Sequence, residues 1–136
     1  MAKKKVKKDY IYAVGRRKTA SARVRLHKGA GDSMVNDQLI GVYFPGKAFK
    51  TAWSKPFEVT KTTGKYHITV KVVGGGKNGQ LEASVLGTAR ALSKVSDEFR
   101  KLLKKEGLLT RDARERERRK VGTGGKARRK KQSPKR

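Results

Sequence analysis

The last nineteen residues of this chain hold ten Lys or Arg and no acid, and nothing beyond Glu117 offsets that charge. A segment of this kind has almost no apolar surface with which to offset the entropy of ordering, so the expectation is a tail extended or disordered until a partner neutralises it. The imbalance runs through the whole sequence: 37 Lys and Arg against 11 Asp and Glu leave a formal charge of +26 on 136 residues. Self-repulsion opposes compaction, and a polyanion relieves it while releasing its own counterions. The length supports one small domain with a tail, and nucleic acid is the partner the charge points to.

The same inventory excludes several chemistries. Without cysteine there is no disulfide, thiolate zinc site or cysteine nucleophile. His27 and His67 are far apart in sequence and lack a flanking metal-ligand pattern. No Ser/His/Asp set or paired carboxylates stand out, so the expectation is no metal, no cofactor, no small-molecule substrate and no enzymatic activity. No apolar run approaches the roughly 18 residues of a membrane span. The basic start MAKKKVKK is followed by only a short apolar stretch, Ile11 to Val14, which falls short of a signal-peptide core. The expectation is a soluble intracellular protein with no membrane partner.

Charge divides the chain into a basic arm over residues 1 to 9, a body over 10 to 109 and a basic tail over 110 to 136. In the body, TASARVRLH alternates strictly, with Ala20, Ala22, Val24 and Leu26 on one face and Arg23 and Arg25 on the other, which predicts a half-buried strand with a cationic outer side. Tyr10 to Val14 reads as its neighbour, joined through Gly15 and the basic trio Arg16, Arg17 and Lys18. Gly29, Gly31, Asp32 and Ser33 mark a turn. Met34, Val35, Leu39 and Ile40 suggest one or two short strands. Pro45, Gly46 and Pro56 punctuate two short helices carrying Tyr43, Phe44, Phe49, Trp53 and Phe57. His67 to Val73 alternates again, with Thr69 and Lys71 outward. Leu81, Val85, Ala89 and Leu92 then recur at helical spacing, and Ser96 caps a further helix that Gly107 stops. The body is α+β.

Gly74-Gly75-Gly76-Lys77-Asn78-Gly79 matches the dinucleotide fingerprint G-x-G-x-x-G between strand and helix. A dinucleotide fold would continue into a second parallel strand ending in an acid; this chain continues into another helix whose first turn holds Asp97 and Glu98. A Walker A loop fails because Asn78 follows Lys77. What remains is a structural turn or a phosphate cradle in which Lys77 adds charge to helix-start N–H groups.

Arg16, Arg17 and Lys18, continued by Arg23 and Arg25, form a stripe long enough to track a phosphate backbone, and arginine engages phosphate bidentately. The aromatics between Tyr43 and Phe57 fit core packing better than base stacking. His27 and His67 lie on polar strand faces as surface residues. The terminal KARRKKQSPKR, tethered to a body with its own basic face, gains effective concentration near whatever the body binds.

Three strings agree with one another: GRRKTASARVRL from Gly15, GGGKNGQLEASVLGTARAL from Gly74 and LLTRDARERERRK from Leu108, before a Lys-Arg terminus. Together they resemble the universal family of small-subunit ribosomal protein number nine in its bacterial form, from about Tyr10 to the end. The resemblance implies a component of the small-subunit head in the cytoplasm of a bacterium, or in an organellar ribosome. It implies a mixed β-sheet with helices packed on it and a left-handed βαβ crossover, against the usual hand, shared with certain small-molecule kinases. It also implies partners: small-subunit ribosomal RNA, neighbouring proteins of the head, and transfer RNA in the peptidyl site.

The charge pattern sets Arg16, Arg17, Lys18, Arg23, Arg25 and Lys77 of the body, and Arg111, Arg118, Arg119 and Lys120 of the tail, as the residues expected on ribosomal RNA phosphates. The resemblance matches Lys126, Arg128 and Arg129 to the family's basic stretch on ribosomal RNA, and implies that Lys135 and Arg136 touch transfer RNA. The family commonly ends in Gln, an aromatic, Ser, Lys, Arg, whereas this chain reads Gln132, Ser133, Pro134, Lys135, Arg136. The charge pair persists without the aromatic or the adjacent hydroxyl. Composition by itself also suits a nucleic-acid chaperone or architectural DNA binder, and the glycine turn suits a degenerate nucleotide-binding relative of those kinases.

Overall fold

The computed structural model describes residues 8 to 124 and residue 130. Strands β1 (Tyr10–Arg17) and β2 (Ala20–Lys28) form an antiparallel hairpin in register from Tyr10 opposite His27 to Arg17 opposite Ala20. The short strands β3 (Met34–Val35) and β4 (Gln38–Leu39) lead into a single helical turn, α1 (Ile40–Tyr43), and then α2 (Lys47–Val59). β5 (Tyr66–Val73) returns antiparallel to β2 and parallel to β3, giving a mixed sheet in the order β1-β2-β5-β3-β4. The passage from β3 through α1 and α2 to β5 is thus the βαβ connection of the fold. Helices α3 (Lys77–Ser93) and α4 (Asp97–Lys105) complete an α+β body.

The alternation in the strands decides which side of the sheet is covered. Ala13, Ala22, Val24, Leu26, Ile68, Val70 and Val72 are all buried and face the helices. α3 crosses β1 and β2 on that face, with α2 and α4 packed against it. Enclosed in this way, α3 is apolar around much of its circumference, burying Leu81, Ala83, Leu86, Ala89, Ala91 and Leu92. Two hydroxyls in the same buried surface satisfy themselves on the preceding turn, Ser84 donating to the Gln80 carbonyl and Thr88 to that of Ser84, both at 2.8 Å.

The crossing of α3 over β1 depends on glycine. A Cβ at Gly15 would run into the Ala83 carbonyl and the Gly87 backbone nitrogen, and a Cβ at Gly87 would come within 2.6 Å of Val24. α4 has local signals at both ends. Ser96 accepts from the Glu98 N–H, Asp97 and Glu98 occupy the first turn, and Lys104 and Lys105 the last. Gly107, at φ 71°, closes it in a Schellman motif, with the Leu108 N–H on the Leu103 carbonyl. At the sheet's outer edge, Arg90 of α3 and Lys94, which caps that helix, donate to the Val14 and Tyr12 carbonyls of β1, at 2.8 and 2.6 Å.

Three expectations are corrected. β1 does not stop at Val14: it runs through Gly15, Arg16 and Arg17, and the turn is only Lys18 and Thr19, with Lys18 in the left-handed region at φ 51°. Pro56 does not end a helix; it lies inside α2, buried in its final turn, where it has no N–H to offer the Ala52 carbonyl one turn back. Arg17 does not join the cationic stripe, because strand alternation turns it inward, where it is 8% exposed and ion-paired.

Candidate nucleic-acid interface

All the helix contacts fall on one side of the sheet, so the other side of β1, β2 and β5 is open. Strand register arranges its side chains in cross-strand rows. Arg16 is opposite Ser21, which is opposite Val73; Val14, Arg23 and Lys71 form the next row; Tyr12, Arg25 and Thr69 the third; Tyr10, His27 and His67 the last. Arg16, Arg23, Arg25 and Lys71 are exposed, and the next acids in sequence, Asp9 and Asp32, stand outside these strands. Cations therefore occupy three successive rows of a face that bears no acid on β1, β2 or β5, a continuous positive field for a phosphate backbone.

The aromatic end of this face is self-contained. Arg25 lies 5.0 Å from the centroid of the Tyr10 ring, Tyr10 tilts against His27 at 5.8 Å, and His27 stacks on His67 at 5.0 Å and 15°. Beyond His67, Gly31 sits so close that a Cβ there would meet the imidazole at 2.9 Å. The ring faces are thus occupied from within the chain, and edges are what they present. Tyr12, 43% exposed, is the open ring beside Arg25. His27 gives up some basicity to this crowding: burial first, then the charges of His67 and Arg25, hold its pKa below the ordinary imidazole value.

The Gly74 to Gly76 turn resolves toward its structural reading. A Cβ on Gly74 would come within 2.6 Å of the Thr19 carbonyl, and one on Gly75 within 3.1 Å of Ala20, so these glycines let the turn press against the β1-β2 hairpin. Lys77 is drawn aside: its Nζ donates to the Tyr43 carbonyl at 3.2 Å and lies 3.4 Å from the centroid of the Tyr43 ring.

The remaining candidates scatter. Lys18 is exposed at the hairpin tip. Arg111 lies 3.9 Å from Glu115, and Arg118, Arg119 and Lys120 are exposed along a segment that is neither helix nor strand. Lys126, Arg128, Arg129, Lys135 and Arg136 lie outside the described residues. Lys71 was absent from the sequence-derived set although its outward position in β5 was legible. Lys55 of α2 joins Arg16 in lining a groove of about 330 Å³ that Leu81, Val85 and Leu86 also line. Among the described residues, no cluster of His, Asp and Glu could hold a metal ion, and no helix is long and apolar enough to cross a membrane.

The family model described as ribosomal protein S9/S16 matches residues 15–136. The small ribosomal subunit protein uS9 of Maridesulfovibrio salexigens is 48% identical over 118 residues, 87% of this chain and 91% of the relative. The uS9 proteins of Lawsonia intracellularis and Amoebophilus asiaticus are each 47% identical over 114 residues, 84% of this chain and 88% and 89% of theirs. A family-model match over residues 15–136, together with relatives 47 to 48% identical over most of their length and of this chain, places the chain in the ribosomal protein S9/S16 family, whose members are structural, non-enzymatic constituents of the small ribosomal subunit.

Proposed function

We propose that the open sheet face holds this protein on small-subunit ribosomal RNA and that its tail carries cations onward to transfer RNA in the peptidyl site. The observation behind this reading is the arrangement of Arg16, Arg23, Arg25 and Lys71 in successive rows of a face no helix covers. Such contacts engage phosphates and fix orientation without reading bases. Lys18 extends the field at the hairpin tip. Lys77, engaged by Tyr43, is a weaker contributor, and Arg17 is not one.

Arg111, Arg118, Arg119 and Lys120 continue the cationic track, followed by Lys126, Arg128 and Arg129. The tail orders on RNA because only there is its repulsion relieved. Lys135 and Arg136 then offer two charges to the transfer RNA backbone. The setting is the head of the small subunit in a bacterial cytoplasmic ribosome, beside other proteins of the head, with no cofactor or small-molecule substrate. Deleting Lys135 and Arg136 is expected to weaken peptidyl-site transfer RNA binding by about 1 to 3 kcal/mol, the scale of charged hydrogen bonds, while subunits still assemble. An assembly defect with unchanged transfer RNA affinity would refute this division of labour.

A further inference from the structure

Arg17 is the only charged residue that is buried among those described. Its guanidinium joins two distant segments. Nε donates to Glu82 of α3, one terminal nitrogen lies 3.3 Å from Asp112 Oδ2, and the other donates to the Arg114 carbonyl at 2.6 Å. Asp112 is gripped from its other side, because Arg114 donates to its carboxylate through the backbone N–H at 3.0 Å and through the guanidinium at 2.7 to 3.0 Å. The hydrogen bonds from the Arg114 side chain and backbone, helped by the charges of Arg114 and Arg17, hold its carboxyl well below the usual carboxylate range. Residues 112 to 114, the opening of the basic tail, are thereby closed on themselves and pinned to β1 and α3.

We propose that Arg17 is a positioning residue that sets where and in which direction the tail leaves the body. The inference rests on the reading that the tail reaches transfer RNA. From Arg114 to Arg136 the chain can extend roughly 75 Å, and a free pivot at its root would spread its end through a large volume. A fixed root narrows that volume and raises the effective concentration of the tip along one path. A guanidinium suits the task because its planar fork holds three acceptors in fixed directions, which an ammonium cannot. Its donors are committed to Glu82, Asp112 and Arg114, so it leaves little for RNA.

The test uses full-length chains in reconstituted small subunits. Arg17→Lys keeps the charge and removes the fork. In wild-type subunits, deleting Lys135 and Arg136 is expected to lower peptidyl-site transfer RNA affinity about tenfold. In Arg17→Lys subunits the same deletion should cost less than about threefold, because the two sites are coupled. On the free chain, trypsin should cut after Arg114 faster in the variant than in the wild type, relative to cutting after Arg119. Asp112→Asn, at a partly exposed position, breaks the same clamp from the tail side and serves if Arg17→Lys does not fold. Equal deletion costs in both backgrounds overturn the proposal, as do unchanged relative rates of cutting. Should the deletion cost nothing even in wild-type subunits, the transfer RNA reading fails instead, and the cutting ratio still decides whether Arg17 pins the root.

Discussion

The side-chain amide of Asn36 holds the backbone of Val72 at both of its polar groups: Oδ1 accepts from the Val72 N–H at 2.9 Å and Nδ2 donates to the Val72 carbonyl at 3.1 Å. Asn36 itself sits in the left-handed region at φ 48° just past β3; its backbone N–H still donates to the Val70 carbonyl of β5 at 2.9 Å, and its side chain carries the pairing on to Val72. The same Nδ2 reaches Tyr43 Oη, which donates to Gln80 Oε1, tying the crossover to the start of α3. Asn36→Ala leaves both Val72 groups without these bonds and should lower stability by about 2 to 3 kcal/mol. Urea denaturation of the free protein measures this, and a loss below 0.5 kcal/mol, the low end for one net hydrogen bond, would contradict it.

Gly15 is required by packing. Because α3 lies against it through Ala83 and Gly87, Gly15→Ala should force the helix off the sheet and cost about 3 kcal/mol or more. Gly29→Ala, where nothing lies within 4 Å but φ is +99°, carries only the backbone strain of about 1 to 2 kcal/mol. Thermal melts should therefore rank Gly15→Ala well below Gly29→Ala.

On the open face, Arg23→Gln, Arg25→Gln and Lys71→Gln should each reduce the slope of log affinity for ribosomal RNA against log salt by about 1, one phosphate contact apiece. Lys77→Gln should change it less, since that ammonium is held by Tyr43. Filter binding across a salt series separates these outcomes, and a larger slope change for Lys77 than for Lys71 would move the contact to the glycine turn.

His27 links stability to pH. Its folded-state pKa lies below the value of about 6.5 that imidazole keeps in the unfolded chain, so on acidification the unfolded chain takes up the proton first. The contribution is complete above about pH 7 and declines as pH falls through 6.5 toward the folded-state value. Urea midpoints at pH 7.5 and 5.5 should differ less in His27→Gln than in the wild type; an equal difference would place the titration elsewhere.

What the sequence disclosed follows from the range of each signal. The strands around Val24 and Val70 and the helix over Leu81 to Leu92 were legible because alternation and helical period are local. The ends of α4 were legible because Ser96 is itself the N-cap and Gly107 is the left-handed residue that ends the helix just past Glu106. Arg17 was misplaced because its partners, Glu82 and Asp112, are 65 and 95 positions away, and no local pattern marks an arginine for burial. Lys77 looked free for a similar reason, as Tyr43 reaches it only once the crossover has folded. Lys71 was visible as an outward residue, but register with Arg23 was needed to make it part of one surface.

The arrangement by which Arg90 and Lys94 cover the Val14 and Tyr12 carbonyls bears on self-association. An uncapped rim would zip onto the rim of another copy. With two acceptors of β1 already taken from within and a cation posted at each, that border is a poor template for a second chain.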